Sequence, residues 1–185
     1  MPGDDPERER RGLDASNGPG QTGLLLAALE DGRERTLREL GTVTQAMLTW
    51  QPPAPLSGIG QLLYHLALIE ADYLLADILA LREEDWPSAI LEEFPIDVRD
   101  EAGRLSAAPD EPLERALARL ARVRSRLRGE LATMTDDDLH VFRAQPEYDV
   151  TPAWALHHLA QHEAEHRSHI AMARDLYLAA HPAGD

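Results

Sequence analysis

Five of the eight histidines of this 185-residue chain lie in one stretch, "WALHHLAQHEAEHRSHI", residues 154–170. Imidazole is a modest helix former and costly to bury without a partner, so their concentration calls for a compensating interaction. Residues three or four apart on a helix share a face. Read as a helix, the stretch and its continuation place Leu159, His162, His166, Ile170, Ala173 and Tyr177 on one stripe. Two imidazoles thus stand where the pattern calls for leucine. His162 and His166 are at i and i+4, the spacing that lets two imidazoles meet one metal ion from a single helix. His158 with His162 is a second pair at the same spacing. His157 and His169 sit at the edges of the stripe, His140 and His181 fall in loop or tail, and Glu163 and Glu165 read as solvated.

A further imidazole comes from a different segment. His65 is the only histidine before His140 and lies between Leu62 and Ile69 in "GIGQLLYHLALIEADYLL", on the flank of that segment's apolar stripe. A buried polar group without a partner costs about 1–3 kcal/mol, and a divalent ion would satisfy three imidazoles together. His65, His162 and His166 are therefore the candidate metal ligands. Asp72, seven residues after His65 on the same face, is a candidate to orient an imidazole, contact a bound water or serve as a base.

Three neutral imidazoles leave a divalent ion with at least one open position, the arrangement of a catalytic site. Such an ion lowers the pKa of bound water to about 7 or holds a thiol as thiolate. The chain has no cysteine, and all 18 of its basic residues are arginine. A protein thiol nucleophile and a lysine Schiff base are thereby excluded. If sulfur is the nucleophile, a low-molecular-weight thiol must supply it. The competing reading is a non-catalytic dimeric metal- or ligand-binding module, favoured if an extra ligand such as His158, His169 or Asp72 closes the open position.

Four long segments of helical periodicity must position these residues, and no run of β alternation competes with them. The first spans about Thr22 to Thr49, with Leu26, Leu29, Leu37, Leu40, Val43 and Met47 on one face, and "WQPPAPLS" stops it. Ser57 is the expected N-cap of the second, which runs to about Leu81. A loop over 83–110 follows, with a short helix expected around Val98 to Leu105. The third segment opens at Pro112, in its first turn, and carries Leu113, Leu117, Leu120, Val123 or Arg124, Leu127 and Leu131. Its arginines from Arg115 to Arg128 read as a solvated or ion-paired face. Thr151 as N-cap and Pro152 in the first turn open the fourth, which continues to about Ala180. Four such helices suit an all-α four-helix bundle. The short first connection predicts that the first two are antiparallel neighbours, and the long second connection allows an up-down-down-up path.

Residues 1–20 are polar, aperiodic and rich in Gly and Pro, and are expected to be a disordered tail ahead of one domain over 21–181. The net charge of −15 argues against nucleic acid or an anionic membrane as partner. No apolar run approaches the ~20 residues of a membrane span, and the N-terminus has no signal-peptide centre. The expectation is a soluble cytoplasmic protein acting on a small molecule.

A helical histidine in "LLYHLALIEADYL", preceded by a Trp-Gln-Pro-Pro loop and followed by "HHLAQHEAEHRSHI" in the last helix, resembles the DinB-like superfamily. That group includes thiol S-transferases that use bacillithiol or mycothiol. The resemblance covers nearly everything after residue 20. It implies an up-down-down-up four-helix bundle, a homodimer, and a divalent metal, nickel or zinc first and manganese or iron next, on His65, His162 and His166. The family often continues its last ligand as His-Arg-Gly-Gln, where this chain has His166-Arg167-Ser168-His169. The glutamine has no counterpart here, and His169 becomes a possible extra polar contact. The resemblance implies an S-transferase in which the metal activates a low-molecular-weight thiol, or a hydrolase in which it activates water.

Overall fold

The computed structural model describes residues 20–182. The expected tail therefore lies outside the described residues, except for Gly20. Helix α1 (Gly20–Leu40) has its first amides capped from a distance, with Asp136 Oδ1 accepting from Gln21 N at 2.9 Å and Thr22 N at 3.2 Å. It ends sooner than the apolar period suggested. A turn at Gly41–Thr42 intervenes, and the Thr44 hydroxyl then caps the short α2 (Gln45–Thr49) by accepting from Met47 N. Val43 and Met47 remain buried because α2 folds back over the same core. Leu37, by contrast, is largely exposed.

Helix α3 (Ile59–Asp72) starts from Gly58 rather than Ser57, with Gln61 Oε1 accepting from Gly58 N at 2.9 Å. It continues as a π-helical segment, Tyr73–Ile78, and stops at Ala80, which adopts a left-handed φ of 54°. The next connection contains the short α4 (Ser88–Leu91). The helix expected around Val98 to Leu105 is instead a tight turn, closed by an antiparallel bridge between Arg99 and Leu105. Asp100 Oδ1 accepts from Ala102 N and Arg104 N, and Gly103 takes a φ of +76°, both of which favour a reversal over a helix. Pro112 caps α5 (Leu113–Leu131) rather than joining its first turn. A hairpin of two-residue strands, β1 (Arg143–Ala144) and β2 (Asp149–Val150), was too short for its alternation to register in the sequence. Helix α6 (Pro152–Ala180) opens as expected, Thr151 Oγ1 accepting from Trp154 N with Pro152 in the first turn.

The fold is a four-helix bundle, and cross-helix pairs fix its directions. Glu39 meets Arg174 while Arg33 meets Glu163, so α1 and α6 run parallel. Glu30 meets Arg128 while Arg33 reaches the Leu120 carbonyl, so α1 and α5 are antiparallel. Leu62 and Leu63 share a cluster with Ile170, whereas Leu74 and Ile78 join Leu156, so α3 opposes α6. The path is up-down-down-up. Helix α1 packs chiefly on α6, and α3 on α5 and α6. The first two long helices are thus antiparallel but diagonal, not neighbours, because α2 and the proline loop carry the chain across the bundle end.

Two apolar clusters fill the bundle. One gathers Leu40, Met47, Ile59, Leu63, Leu120 and Ile170, and the other Leu26, Leu29, Leu74, Leu127, Leu131 and Leu156. Between them lies a charged layer. Arg33 Nε donates to Glu163 Oε1 at 2.7 Å and Arg33 Nη2 to Glu70 Oε2 at 2.6 Å. Arg124 donates to Glu70 Oε1 at 2.6 Å and to Glu163 Oε2 at 3.1 Å. The residual guanidinium donors reach the carbonyls of Leu120 and Leu29. Glu163, read as solvated from its place off the stripe, is 3% exposed, and Arg124 is 4% exposed. The arginine-rich face of α5 is therefore not uniformly solvated: Arg119 is also buried, held bidentately by Glu111 at 2.5 and 2.8 Å. Two guanidinium and two carboxylate groups balance in charge and hydrogen bonds, which is the condition under which burial of ions is tolerated. Among the described residues no helix is long and apolar enough to cross a membrane.

Candidate metal centre

His65 stands mid-helix on α3, and His162 and His166 stand one turn apart near the middle of α6. The antiparallel packing of α3 on α6 brings the three rings together. Ring centroids are 4.9 Å apart for His65 and His162, 4.8 Å for His65 and His166, and 4.4 Å for His162 and His166. One ligating nitrogen from each lies within 4.8 Å of the others. His65 Nε2 and His162 Nε2 are 3.0 Å apart. Two nitrogens on a tetrahedral ion with ~2.1 Å bonds are separated by about 3.4 Å, close to the spacing of this pair.

Charge prepares the same set. Burial, then the neighbouring His166 and Arg99, pushes His65 down to about 4. Burial, then His166, His65 and His158, pushes His162 down to about 3. His166 is also lowered, first by burial and then by His169. At neutral pH the three rings are uncharged and offer lone pairs, the form a metal requires. His65 Nδ1 is buried with no hydrogen-bond partner.

His158, the other member of the alternative pair on α6, stands outside the three-nitrogen group. His158 lies between the rings of Tyr73 and Trp154, at 5.0 and 5.1 Å and nearly parallel to both, and joins no ligating group. His169 is exposed, with its Nδ1 3.2 Å from His166 Nδ1, so it braces His166 and leaves the Nε2 of that ring for other use. His157 and Glu165 are exposed.

The triad lines a cavity of about 480 Å³, together with His158, His169, Tyr73, Arg99, Met172 and the apolar residues Leu56, Leu62, Ile69 and Leu105. Asp72 is not part of this lining. It is half-buried, and its carboxyl is raised by burial and by the charges of Asp77 and Glu83. Sequence reasoning missed Arg99 because its segment was read as a helix. The signal that could have exposed it is the Asp100–Gly103 turn pattern "DEAG" that follows.

A model of the DinB superfamily matches residues 28–170. The chain belongs to the DinB superfamily. Two solved structures share the DinB-like fold with it. A conserved protein from Enterococcus faecalis superposes with a TM-score of 0.66 at 18% identity, over 88% of this chain and 99% of that one. YfiT from Bacillus subtilis, described as a probable metal-dependent hydrolase with an unusual four-helix bundle topology, gives a TM-score of 0.56 at 19% identity, over 93% of this chain and 95% of that one. No curated protein matches.

Proposed function

We propose that this DinB-superfamily protein is a metal-dependent enzyme acting on small molecules, with one divalent ion on His65, His162 and His166. The observation that carries the reading is the convergence of three neutral imidazoles on the wall of a cavity, with no fourth protein ligand in that cluster among the described residues. His158 stacks between Tyr73 and Trp154 and His169 is engaged with His166, and neither belongs to the three-nitrogen cluster. An open position distinguishes catalytic from structural sites of this kind. An all-imidazole donor set suits nickel or zinc, with manganese or iron less favoured, and does not suit magnesium or calcium.

When bound, such an ion activates a coordinated water or low-molecular-weight thiol as the nucleophile. The description of YfiT as a probable hydrolase supports water. The absence of cysteine supports an external thiol, such as bacillithiol or mycothiol, if the reaction is S-transfer. The chain's own residues hold the ion, keep the imidazoles neutral by burial, and line an apolar pocket around the reacting atom. With no carboxylate in the lining, His169 at the edge of the triad is better placed than Asp72 to accept a proton. A homodimer, implied by the family resemblance, belongs to the same proposal and is decided by light scattering.

The test is elemental analysis of untagged protein after loading with nickel, zinc, manganese or iron in turn, beside His65→Ala and His162→Ala. One equivalent per chain, lost in both variants, is expected. Failure to bind any of the four ions, with both variants folded, would overturn the reading.

A further inference from the structure

We propose that the cavity over the histidine triad selects a substrate or co-substrate bearing an oxyanion, and that Arg99 is the residue that binds it. The inference rests on the metal-centre reading and adds the chemical class of its ligand. It starts from a contrast of charge. The chain carries 33 acidic residues, yet among the described residues no carboxylate lines this cavity. Four other surface grooves each include a carboxylate: Asp110, Glu30, Asp100 or Glu92 among them. In a protein of net charge −15, a 480 Å³ cavity edged by a guanidinium and free of carboxylates is a local reversal of sign. A positively biased pocket with few polar groups favours an anionic small molecule and repels a cationic one.

Arg99 is built for the role. It sits on the tight turn of residues 98–106, where its Nη1 donates to the Gly103 carbonyl at 2.8 Å. Among the described residues it has no ion-pair partner, because the adjacent Asp100 is engaged by Arg104 at 2.9 Å. The turn is itself anchored to α3, the helix that carries His65. Gln61 Nε2 donates to the carbonyls of Leu105 and Ser106, and the Tyr64 hydroxyl donates to the Ile96 carbonyl at 2.8 Å. The guanidinium is thus held on the wall of the same cavity as the triad. Its remaining donors form the planar fork that matches carboxylate or phosphate.

The test uses metal-loaded protein and two thiols that differ in charge, mercaptosuccinate and 2-mercaptoethanol, with binding followed by calorimetry and by the thiolate–nickel absorption band. Succinate and inorganic phosphate, titrated into the metal-free protein and followed by tryptophan fluorescence, separate a carboxylate from a phosphate preference. The expected result is that mercaptosuccinate binds about tenfold or more tightly than 2-mercaptoethanol. Arg99→Ala removes that preference without changing metal content or 2-mercaptoethanol binding. Arg99→Lys restores part of it. Arg38→Ala, which deletes the same charge on an exposed part of α1, leaves it intact. No preference in the unaltered protein, or a preference that survives Arg99→Ala, overturns the inference. If no metal binds, the metal reading fails separately, and loss of succinate and phosphate binding in metal-free Arg99→Ala still decides the role of Arg99.

Discussion

His162 and Glu163 are neighbours on α6, yet they belong to two polar clusters at the same level of the bundle that are completed in different ways. Glu163 enters the four-membered ion cluster with Arg33, Glu70 and Arg124, where each carboxylate oxygen accepts from a guanidinium and charge sums to zero. His162 enters the imidazole cluster, where His65 Nδ1 has no partner and nitrogens face one another with no carboxylate between them. The first cluster is closed, draws on all four long helices, and holds α3 and α6 in register. The second opens onto a cavity, and its His65 Nδ1 has no partner within the protein. A saturated buried network stabilises a unique arrangement, whereas an unsaturated one keeps affinity for something outside the protein.

The largest effect should come from breaking the closed cluster. Glu163→Ala leaves two buried guanidinium groups short of counter-charge and is expected to cost about 3–5 kcal/mol in urea unfolding. His65→Ala, also at a buried site, should change the stability of the metal-free protein far less, since it removes an uncharged ring whose Nδ1 has no partner. Equal losses from the two variants would erase the distinction between the clusters.

Next in size is the response to metal. Nickel or zinc at a thousand times its dissociation constant should stabilise the protein by about 4 kcal/mol. Thermal unfolding of His162→Ala should show none of this, while Glu163→Gln, if folded, should retain it.

A third effect concerns pH. His65 and His162 titrate near 6.5 when unfolded but only near 4 and 3 in the fold, so the unfolded chain binds more protons throughout that interval. Stability of the metal-free protein should therefore be fully present above about pH 6.5 and fall as pH drops towards 3. His65→Ala should flatten the slope, as measured by urea midpoints across the range. At neutral pH, metal uptake should release almost no protons from these rings, which calorimetry in buffers of different ionisation enthalpy would show.

The smallest effect is expected at Asp72. Its carboxyl is raised by burial and by the like charges of Asp77 and Glu83, so its ionisation costs more in the fold than in the unfolded chain. Asp72→Asn should slightly raise stability at neutral pH and leave metal content unchanged. Loss of metal in that variant would return Asp72 to the site.

Much of the candidate site was legible in the sequence because helical period is a local property. Steps of three and four put His162 and His166 on one stripe and His65 on the flank of another, whatever the rest of the chain does. The caps at Thr151 and Pro152 were legible for the same reason. The same method misread Glu163, because a carboxylate off the apolar stripe reads as solvated unless its partners are known. Those partners, Arg33 and Arg124, lie 130 and 39 residues away. Arg124 was visible only as an alternative to Val123 on the stripe of α5. The break after Leu40 and the turn carrying Arg99 were missed because apolar period runs through a short kink and because turn residues were outweighed by flanking leucines.

By itself, the sequence determined which residues share a helix face and excluded cysteine and lysine chemistry, since composition and the 3.6-residue repeat require no knowledge of neighbours. Only the tertiary structure decided which faces meet. Packing α3 against α6, with α1 diagonal to α3, turned two separate histidine stripes into one cluster, buried Glu163 among arginines and left the wall beside Arg99 without a carboxylate. The reason is that burial and pairing of a charge are set by groups distant in the chain, which a periodic pattern does not encode.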